Sequence, residues 1–244
     1  MPPLVTYGSF REFPGWEQAP CYLTSLIQRF GARRVLEIGS GANPTLDVPT
    51  LAALGIRYIT SDVNARELAK APRAFEARVL NAERGPIPSD LIRSQDLVFS
   101  RMVNEHICEG RAYHANVREL LAPGGVAVHC FASLFALPFL VNVVTPSWLS
   151  LRLVRMSGPR DEYQHAKFPA YYSWSRGPSR RMIRRFTSLG YRVLEYHGYF
   201  GHNYYGPRLP VLDRLERVKT RLLVARPIPA LCAYGVVVLQ RADA

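Results

Sequence analysis

The chain has 244 residues, of which 48% are apolar, and its formal net charge at pH 7 is +12. This length and apolar content can form one buried core, so a single domain over residues 1–244 is the default. The four cysteines are widely spaced, which disfavours zinc sites and disulfide frameworks and favours reduced, mostly buried thiols in a cytoplasmic protein. No signal-peptide pattern opens the sequence.

The positive charge is concentrated in the second half of the chain. Residues 1–119 hold 14 Lys/Arg and 13 Asp/Glu, a net charge of +1, whereas residues 120–244 hold 17 and 6, a net charge of +11. This asymmetry predicts an anionic partner for the second half, namely a membrane surface, a nucleic acid or an acidic glycan.

Residues 1–32 predict an extended arm over residues 1–14 and a helix over about 16–30 that ends at Gly31, and a glycine-rich loop follows. The sequence Arg-Arg-Val-Leu-Glu-Ile-Gly-Ser-Gly-Ala-Asn-Pro at 33–44 predicts a buried strand, a sharp turn and a helix start. The dinucleotide fingerprint needs a small residue where Pro44 stands, and Glu37 would repel phosphates. A carboxylate suits a ligand with an ammonium and a sulfonium group, so these residues disfavour a nicotinamide cofactor.

The next strands end in polar residues. Residues 57–60 predict a second strand, and Asp62 follows it at 21 positions beyond Gly41. An acidic residue about 20 positions beyond such glycines can accept hydrogen bonds from both hydroxyls of a ribose. Asp62 could instead cap a helix at residues 64–70, or do both.

Three further strands are predicted before residue 132. They cover residues 75–80, 96–100 and 126–131, and the last follows a helix and the turn Ala-Pro-Gly-Gly at 122–125. Strands that alternate with helices predict a parallel, doubly wound α/β sheet.

These ordered motifs, over residues 30–131, resemble those of the class I S-adenosylmethionine-dependent methyltransferases of types 11 and 12, whose first motif is acidic-x-Gly-x-Gly. The resemblance implies a Rossmann-like, mostly parallel sheet of seven strands with helical insertions after strands 5 and 6. It also implies S-adenosylmethionine as the cofactor, held by a core at residues 33–131. The cofactor-binding residues that it implies are Glu37, Gly39, Ser40, Gly41, Asn43, Asp62, Val63, Asn81, Ala82, Ser100 and Arg101. The family usually has Asp where Asn81 stands.

The segment at residues 132–189 is apolar at first and then basic. Residues 120–151 contain no charged side chain, but the apolar part after residue 131 is short and broken by Pro138 and Asn142. It is therefore a poor bilayer span. Nine Lys/Arg and several aromatic residues follow at 152–185. This pattern predicts either a segment in a membrane interface or an apolar lid on its own domain.

The last segment, residues 190–244, predicts two strands at 190–197 and 231–240 with a helical insertion between them. The helix has an apolar face and an arginine face. The apolar face consists of Val211, Leu212, Leu215, Val218, Leu222 and Leu223, and the arginine face of Arg214, Arg217 and Arg221. We expect the insertion to shape an acceptor pocket or to add a second basic amphipathic surface.

A methyltransferase mainly holds the methyl donor and the acceptor in contact, and a hydroxyl acceptor usually needs a proton acceptor nearby. His129 and His106 are best placed by topology, because they lie at or after the ends of two parallel strands. His165, His202 and Tyr171 are further candidates, and a structural role is the alternative for each. No paired carboxylate and histidine cluster indicates a metal.

The second half of the chain also resembles bacterial methyltransferases of surface polysaccharide or lipid-linked glycan synthesis. This resemblance implies O-methylation of a small-molecule, glycan or lipid-linked acceptor, in the cytoplasm or at the inner face of the membrane. The basic charge leaves open an RNA or protein methyltransferase, although Ser-Arg-Met-Val at 100–103 lacks the pattern of enzymes that methylate nucleobase amines. The alternative outside catalysis is a cofactor-binding or membrane-peripheral scaffold.

Overall fold

The computed structural model of the chain describes residues 2–133, 169–203, 205 and 209–242. The strands are β1 (Leu4–Ser9), β2 (Arg34–Ile38), β3 (Arg57–Asp62), β4 (Glu76–Val79), β5 (Gln95–Arg101), β6 (Leu121–Ala132), β7 (Tyr191–Phe200) and β8 (Tyr234–Arg241). The helices are α1 (Ala19–Phe30), α2 (Val48–Leu54), α3 (Ala65–Leu68), α4 (Gly110–Leu120), α5 (Arg180–Thr187) and α6 (Pro210–Ala225).

The strands form one sheet in the order β1-β7-β8-β6-β5-β2-β3-β4. Among the described strands, β8 alone runs antiparallel to its neighbours, β6 and β7. The predicted Rossmann-like, mostly parallel sheet is therefore confirmed, but it has eight strands rather than seven. The additional strand is β1, which we expected to be an extended arm and which pairs in parallel with β7 from Leu4 to Ser9.

Both faces of the sheet are buried, as expected of parallel strands covered by helices. Val128 and Cys130 of β6 belong to the cluster packed under α1, whereas Ala127 and Phe131 belong to the cluster packed under α4 and α5. All four side chains are fully buried. The alternation along β6 therefore supplies two cores, one on each side of the sheet.

The helix ends follow local sequence signals. α1 begins three residues later than predicted, with Pro20 in its first turn, where a missing backbone N–H costs nothing. It ends as predicted at Gly31, whose φ of 60° is a left-handed conformation that favours glycine. Asp47 caps α2 by accepting a hydrogen bond from Thr50 N–H at 2.9 Å.

The predicted insertion after β6 is described only in its last part. Residues 134–168 lie outside the described residues, so the alternatives of a lid and a membrane segment stay predictions. Residues 169–189 contain α5, which packs on the sheet through Met182 and Phe186. Within the part of the chain that the structure describes, no helix is both long and apolar enough to cross a membrane.

The helix predicted in the second insertion is α6, but its orientation differs from that of an ordinary amphipathic helix. Of its apolar face, Leu223 is buried and the other five residues are exposed. Glu216 and Thr220 are buried in their place. The apolar face therefore points mainly away from the core.

Candidate active site

A cavity of about 450 Å³ opens at the carboxyl ends of the central strands. β2 pairs with β3 on one side and with β5 on the other, so the connections leave β2 and β5 in opposite directions. A doubly wound sheet binds its ligands at such a point. Seven of the predicted site residues line this cavity: Gly39, Asp62, Val63, Asn81, Ala82, His106 and Tyr171.

The glycine loop is bound tightly to the end of β3. The N–H groups of Gly39 and Ser40 both donate to Ser61 O, at 2.7 and 3.1 Å. Ser61 Oγ donates in turn to Glu37 O at 2.8 Å. Asn43 N–H donates to Ser40 O at 3.0 Å and closes the next turn. These hydrogen bonds therefore fix the position of the loop backbone at the edge of the cavity.

Glu37 supports this loop from inside the core and does not line the cavity. Its carboxylate accepts hydrogen bonds from Thr45 N–H at 2.9 Å, from Thr45 Oγ and from the Tyr58 hydroxyl. Burial raises the pKa of Glu37, and the hydrogen bonds from Thr45 and Tyr58 oppose that rise. We expected Glu37 beside the ligand, but these contacts make it a positioning residue for the exit of the loop.

Asp62 is placed to bind a diol. Its Oδ2 accepts from Gly41 N–H at 3.0 Å and its Oδ1 from Asn64 N–H at 2.8 Å. A carboxylate has about four lone-pair positions, so each oxygen retains capacity for a further donor. We considered Asp62 as a possible cap of the helix that follows. In the structure Asn64 caps this helix, α3, because its side chain accepts a hydrogen bond from Arg66 N–H at 3.0 Å. The side chain therefore fits the two ribose hydroxyls of a nucleoside.

Asn81 differs chemically from the aspartate that the family usually has. Its Oδ1 accepts hydrogen bonds from the N–H groups of Glu83 and Arg84, at 3.1 and 3.0 Å. The amide oxygen thus holds the turn after β4, and the Nδ2 group is a hydrogen-bond donor. A donor at this position complements a ring nitrogen of adenine rather than its exocyclic amine.

The other lining residues are ones that the sequence analysis did not single out for the site. They are Ile38, Leu80, Glu83, Arg84, Met102, Val103, Ile107, Cys108, Tyr113 and Pro169. Val103 packs where a side chain on Gly39 would lie, which explains why that position is glycine. Pro169 and Tyr171 reach the cavity from the second half of the chain. Of the remaining predicted cofactor residues, Ser40, Gly41, Asn43, Ser100 and Arg101 are not part of the cavity lining.

His106 lines the cavity and is fixed in one tautomer. Its Nδ1 lies 3.0 Å from Pro169 O. A carbonyl oxygen only accepts hydrogen bonds, so Nδ1 carries the proton and the lone pair of the neutral ring is on Nε2. Burial lowers the pKa of His106, which keeps the imidazole neutral at pH 7.

His129, the other predicted base, lies inside the core on the α4 side of the sheet. Its Nδ1 is 2.7 Å from Ser100 Oγ, and its ring centroid is 5.0 Å from that of His114 and 5.7 Å from that of Tyr113. Burial lowers the pKa of His129 to about 3. The side chain is fully buried and is not part of the cavity lining. Ser100 and His129 therefore form an interior polar contact.

Glu105 joins three segments around the cavity. Its backbone oxygen accepts from the N–H groups of Tyr171 and Tyr172, at 2.8 and 3.0 Å. Its carboxyl group accepts a hydrogen bond from Ala132 N–H at the end of β6, and burial raises its pKa to about 8. This residue thus holds the segment that carries Tyr171 over the cavity.

We expect Glu105→Gln to change how stability depends on pH. Because the folded-state pKa of about 8 exceeds the unfolded value, the folded chain binds a proton more tightly. The wild-type free energy of unfolding therefore falls by up to about 1.4 kcal/mol per pH unit between roughly pH 4.5 and 8. Glutamine stays neutral, so the free energy of unfolding of the variant rises by up to about 3 kcal/mol relative to that of wild type between roughly pH 5.5 and 8. Urea unfolding of the wild-type chain and the variant at both pH values measures this difference. The prediction is wrong if the free energies of unfolding of the two proteins depend on pH in the same way.

Among the described residues, the cysteines do not combine with other potential metal ligands into a metal centre. All four cysteines are free thiols; Cys130 and Cys232 are buried, whereas Cys21 and Cys108 are exposed. The expectation of mostly buried thiols is therefore correct for only half of them. No group of three or more His, Cys, Asp or Glu side chains arranged to hold a metal occurs in the described ranges.

A second cavity of about 500 Å³ lies at the same edge of the sheet, beside the ends of β1 and β7. It is lined by Phe10, Arg11, Phe13, Trp16, Glu17, Gln18, Asn203 and Tyr234. The Phe13 and Tyr234 rings stack at 4.9 Å, and the Trp16 ring meets the Tyr234 ring edge-on at 5.6 Å. We call it the aromatic cavity. The exit of β6 separates it from the first cavity, since Met102 N–H donates to Cys130 O and Ser133 N–H to Ala233 O.

Comparison with known proteins agrees with this geometry. Residues 36–129 match the model of a family described as "methyltransferase domain". This match begins in β2 and ends in β6, so it covers the strands that surround the first cavity. No curated protein matches the sequence.

Many solved structures share the fold. They include the CMeT domain of the citrinin polyketide synthase, with 19% identity and a TM-score of 0.54 over 93% of this chain and 52% of that chain. Phosphoethanolamine N-methyltransferase 2 of Haemonchus contortus, in complex with S-adenosyl-L-methionine, has 15% identity and a TM-score of 0.53. The match covers 91% of this chain and 53% of that chain. YcgJ of Bacillus subtilis has 16% identity and a TM-score of 0.52 over 93% of this chain and 99% of that chain. The chain thus spans about half the length of the first two proteins.

Proposed function

Because the chain carries a class I S-adenosylmethionine-dependent methyltransferase domain, we propose that it methylates an oxygen of a small-molecule, glycan or lipid-linked acceptor. We place this reaction in the cytoplasm, in solution or at the inner face of the membrane. Asp62, Asn81 and the backbone of Gly39 would hold the cofactor in the first cavity, which they line. The capacity of the Asp62 carboxylate for two more donors fits this group.

S-adenosylmethionine supplies an electrophilic methyl group bonded to a positively charged sulfur. A hydroxyl acceptor must lose its proton as its oxygen is methylated, so a neutral base in contact with that hydroxyl accelerates the reaction. His106 meets this requirement, because it lines the cofactor cavity and its hydrogen bond to Pro169 O puts the lone pair on Nε2. His129, in contrast, is enclosed in the core.

The choice of acceptor rests on the lining of the aromatic cavity, and the acceptor we propose would extend past the exit of β6 so that its hydroxyl reaches His106 and the cofactor in the first cavity. Trp16, with 42% of its surface exposed, offers aromatic surface to a ring of the acceptor, while Arg11, Gln18 and Asn203 offer hydrogen-bonding groups for hydroxyls. Aromatic faces combined with a few polar groups are typical of small-molecule sites, and the volume suits one or two rings. The cavity therefore favours a hydroxylated, ring-containing acceptor over a long polymer.

The proposal is tested by offering the purified chain S-adenosylmethionine with a labelled methyl group and a panel of acceptors. The panel contains monosaccharides, phenols, lipid-linked glycans, RNA and unfolded protein. We expect label in one of the hydroxyl-bearing small molecules or glycolipids, in a bond stable to the conditions that hydrolyse methyl esters. Label confined to RNA or protein would support the alternative methyltransferase classes. Cofactor binding with no transfer to any acceptor would support a scaffold.

With the acceptor found in this panel, we expect His106→Gln to lower the methyl-transfer rate by about 100-fold or more, the usual contribution of a general base. The affinity for S-adenosylhomocysteine should change by less than about threefold, because the base acts on the acceptor. Cys108→Ala is the matched control, since Cys108 lines the same cavity without an imidazole. A rate that is insensitive to His106→Gln would remove this residue from the mechanism.

A further inference from the structure

The outer face of α6 carries an exposed apolar stripe. Val211, Leu215, Val218 and Leu222, here called the α6 stripe, are spaced by four, three and four residues and so lie on one side of the helix. Their exposed fractions are 71%, 61%, 47% and 65%. Single exposed apolar residues are ordinary, but a continuous patch of this kind marks an interaction surface.

Contacts on the opposite side of α6 fix the rotation of the helix. Thr220 packs against Gly201, where no side chain would fit. Glu216 forms an ion pair with Lys219 at 2.7 Å and lies 3.6 Å from His202. Leu223 packs into a small cluster of buried residues beyond the end of β7. The Glu216–Lys219 pair lies within the helix, but rotating α6 to bury the stripe would remove Thr220, Glu216 and Leu223 from their partners on the rest of the fold, so the stripe stays outside.

Basic side chains flank the α6 stripe on both sides. At 100° per residue, Arg214, Arg217 and Arg221 project on one flank of α6 and Lys219 on the other, and Arg226 follows directly after the end of the helix. All five residues are exposed. Two of these cations are paired within the helix, Arg217 with Asp213 at 3.1 Å and Lys219 with Glu216 at 2.7 Å, and the outer surface of the helix keeps an excess of positive charge.

This arrangement distinguishes between the partners that a stripe could bind. A helix that lies in the plane of an anionic membrane has an apolar strip between rows of Lys/Arg, whose long side chains reach the phosphates. A second copy of the chain would bring like-charged flanks together, which disfavours self-association. A membrane satisfies the apolar stripe and both basic flanks at once.

We propose that α6 docks the protein on an anionic lipid membrane, with the α6 stripe in the interface and the flanking cations at the lipid phosphates. Phe10, Arg11 and Asn203 line both the aromatic cavity and the groove beside α6. The aromatic cavity therefore adjoins the inner side of α6, opposite the α6 stripe. The lipid binding itself does not rest on the proposed methyl transfer.

Vesicle flotation of the full chain tests this inference. Vesicles of pure phosphatidylcholine are compared with vesicles that also contain phosphatidylglycerol, at low and high salt. We expect binding to the anionic vesicles only, weakened by salt because exposed charges are screened. Removing two cations through Arg214→Gln and Arg221→Gln should weaken binding roughly fivefold for each charge.

The α6 stripe is tested by replacing Leu215, Val218 and Leu222 together with serine. We expect lipid binding to fall by about tenfold or more, since the apolar anchor is lost. The matched control replaces three exposed aliphatic residues on other elements, Leu4, Val79 and Ile92, with serine and should bind vesicles like wild type. Unchanged affinity of both variants for S-adenosylhomocysteine shows that each is folded.

Two results would overturn the proposal. One is a wild-type chain that does not float with anionic vesicles, or a stripe variant that floats as well as wild type. The other is a wild-type chain that binds no lipid but forms a concentration-dependent dimer that the stripe variant abolishes. That second result would make the α6 stripe a self-association surface.

Discussion

Replacing Asp62 with alanine should lower the affinity for S-adenosylhomocysteine by about 100-fold, measured by isothermal titration. Two charge-assisted hydrogen bonds from ribose hydroxyls would be lost, each contributing about 1.5 kcal/mol or more. The loss would extend to the loop, because Asp62 Oδ2 also accepts from Gly41 N–H at 3.0 Å. NADH should not bind to the wild-type chain, since Pro44 occupies the position of the third small residue of the dinucleotide fingerprint.

Asp96→Ala is the matched control for this loss. The Asp96 carboxylate also accepts two backbone hydrogen bonds, from the N–H groups of Arg33 and Arg34 at 2.9 and 2.8 Å, but at the opposite end of β2. The control should therefore lose stability in a similar way and keep its affinity for S-adenosylhomocysteine. If both variants lose affinity equally, Asp62 acts through the fold rather than on the ligand. If the wild-type chain binds no S-adenosylhomocysteine, our assignment of the first cavity is wrong.

The position of the first cavity could be predicted from the sequence because its main determinants are local. The glycine loop and Asp62 each follow a short apolar strand, and parallel strands bring their carboxyl ends to one edge. Spacing alone therefore brings Gly39 and Asp62 together. The contribution of Glu37 was harder to predict, because its partners Thr45 and Tyr58 lie on different elements and turn the carboxylate into the core.

Features that depend on contacts distant in sequence were not predictable. β1 is a strand only because β7, nearly two hundred residues later, offers it an edge. His129 and His106 both lie near strand ends, and only the packing of α4 makes one of them interior. Periodicity identified α6 as amphipathic, but the direction of its apolar face depends on Gly201, which admits Thr220 and not a larger side chain.

Gly39→Ala should destabilise the fold by about 2–4 kcal/mol and lower the affinity for S-adenosylhomocysteine by at least about tenfold. Gly39 has φ of 75°, a conformation that costs an L-residue about 1–2 kcal/mol. The added Cβ would also overlap Val103 Cγ2, closer than real Cβ atoms approach. The loop or the exit of β5 must then move, and both line the cavity. Urea unfolding and isothermal titration measure the two effects.

A comparison with Gly31→Ala separates backbone strain from overlap. Gly31 has a similar φ of 60°, but a Cβ built there meets no atom within 4 Å. Gly31→Ala should therefore cost only the strain, about 1 kcal/mol, and leave ligand affinity unchanged. Val103→Ala removes the overlapping methyl group, so the double variant with Gly39→Ala should be more stable than the sum of the single effects, by at least about 0.5 kcal/mol. Strict additivity would show that Gly39 is required for its φ alone, and that the packing of Val103 against the loop does not position the site.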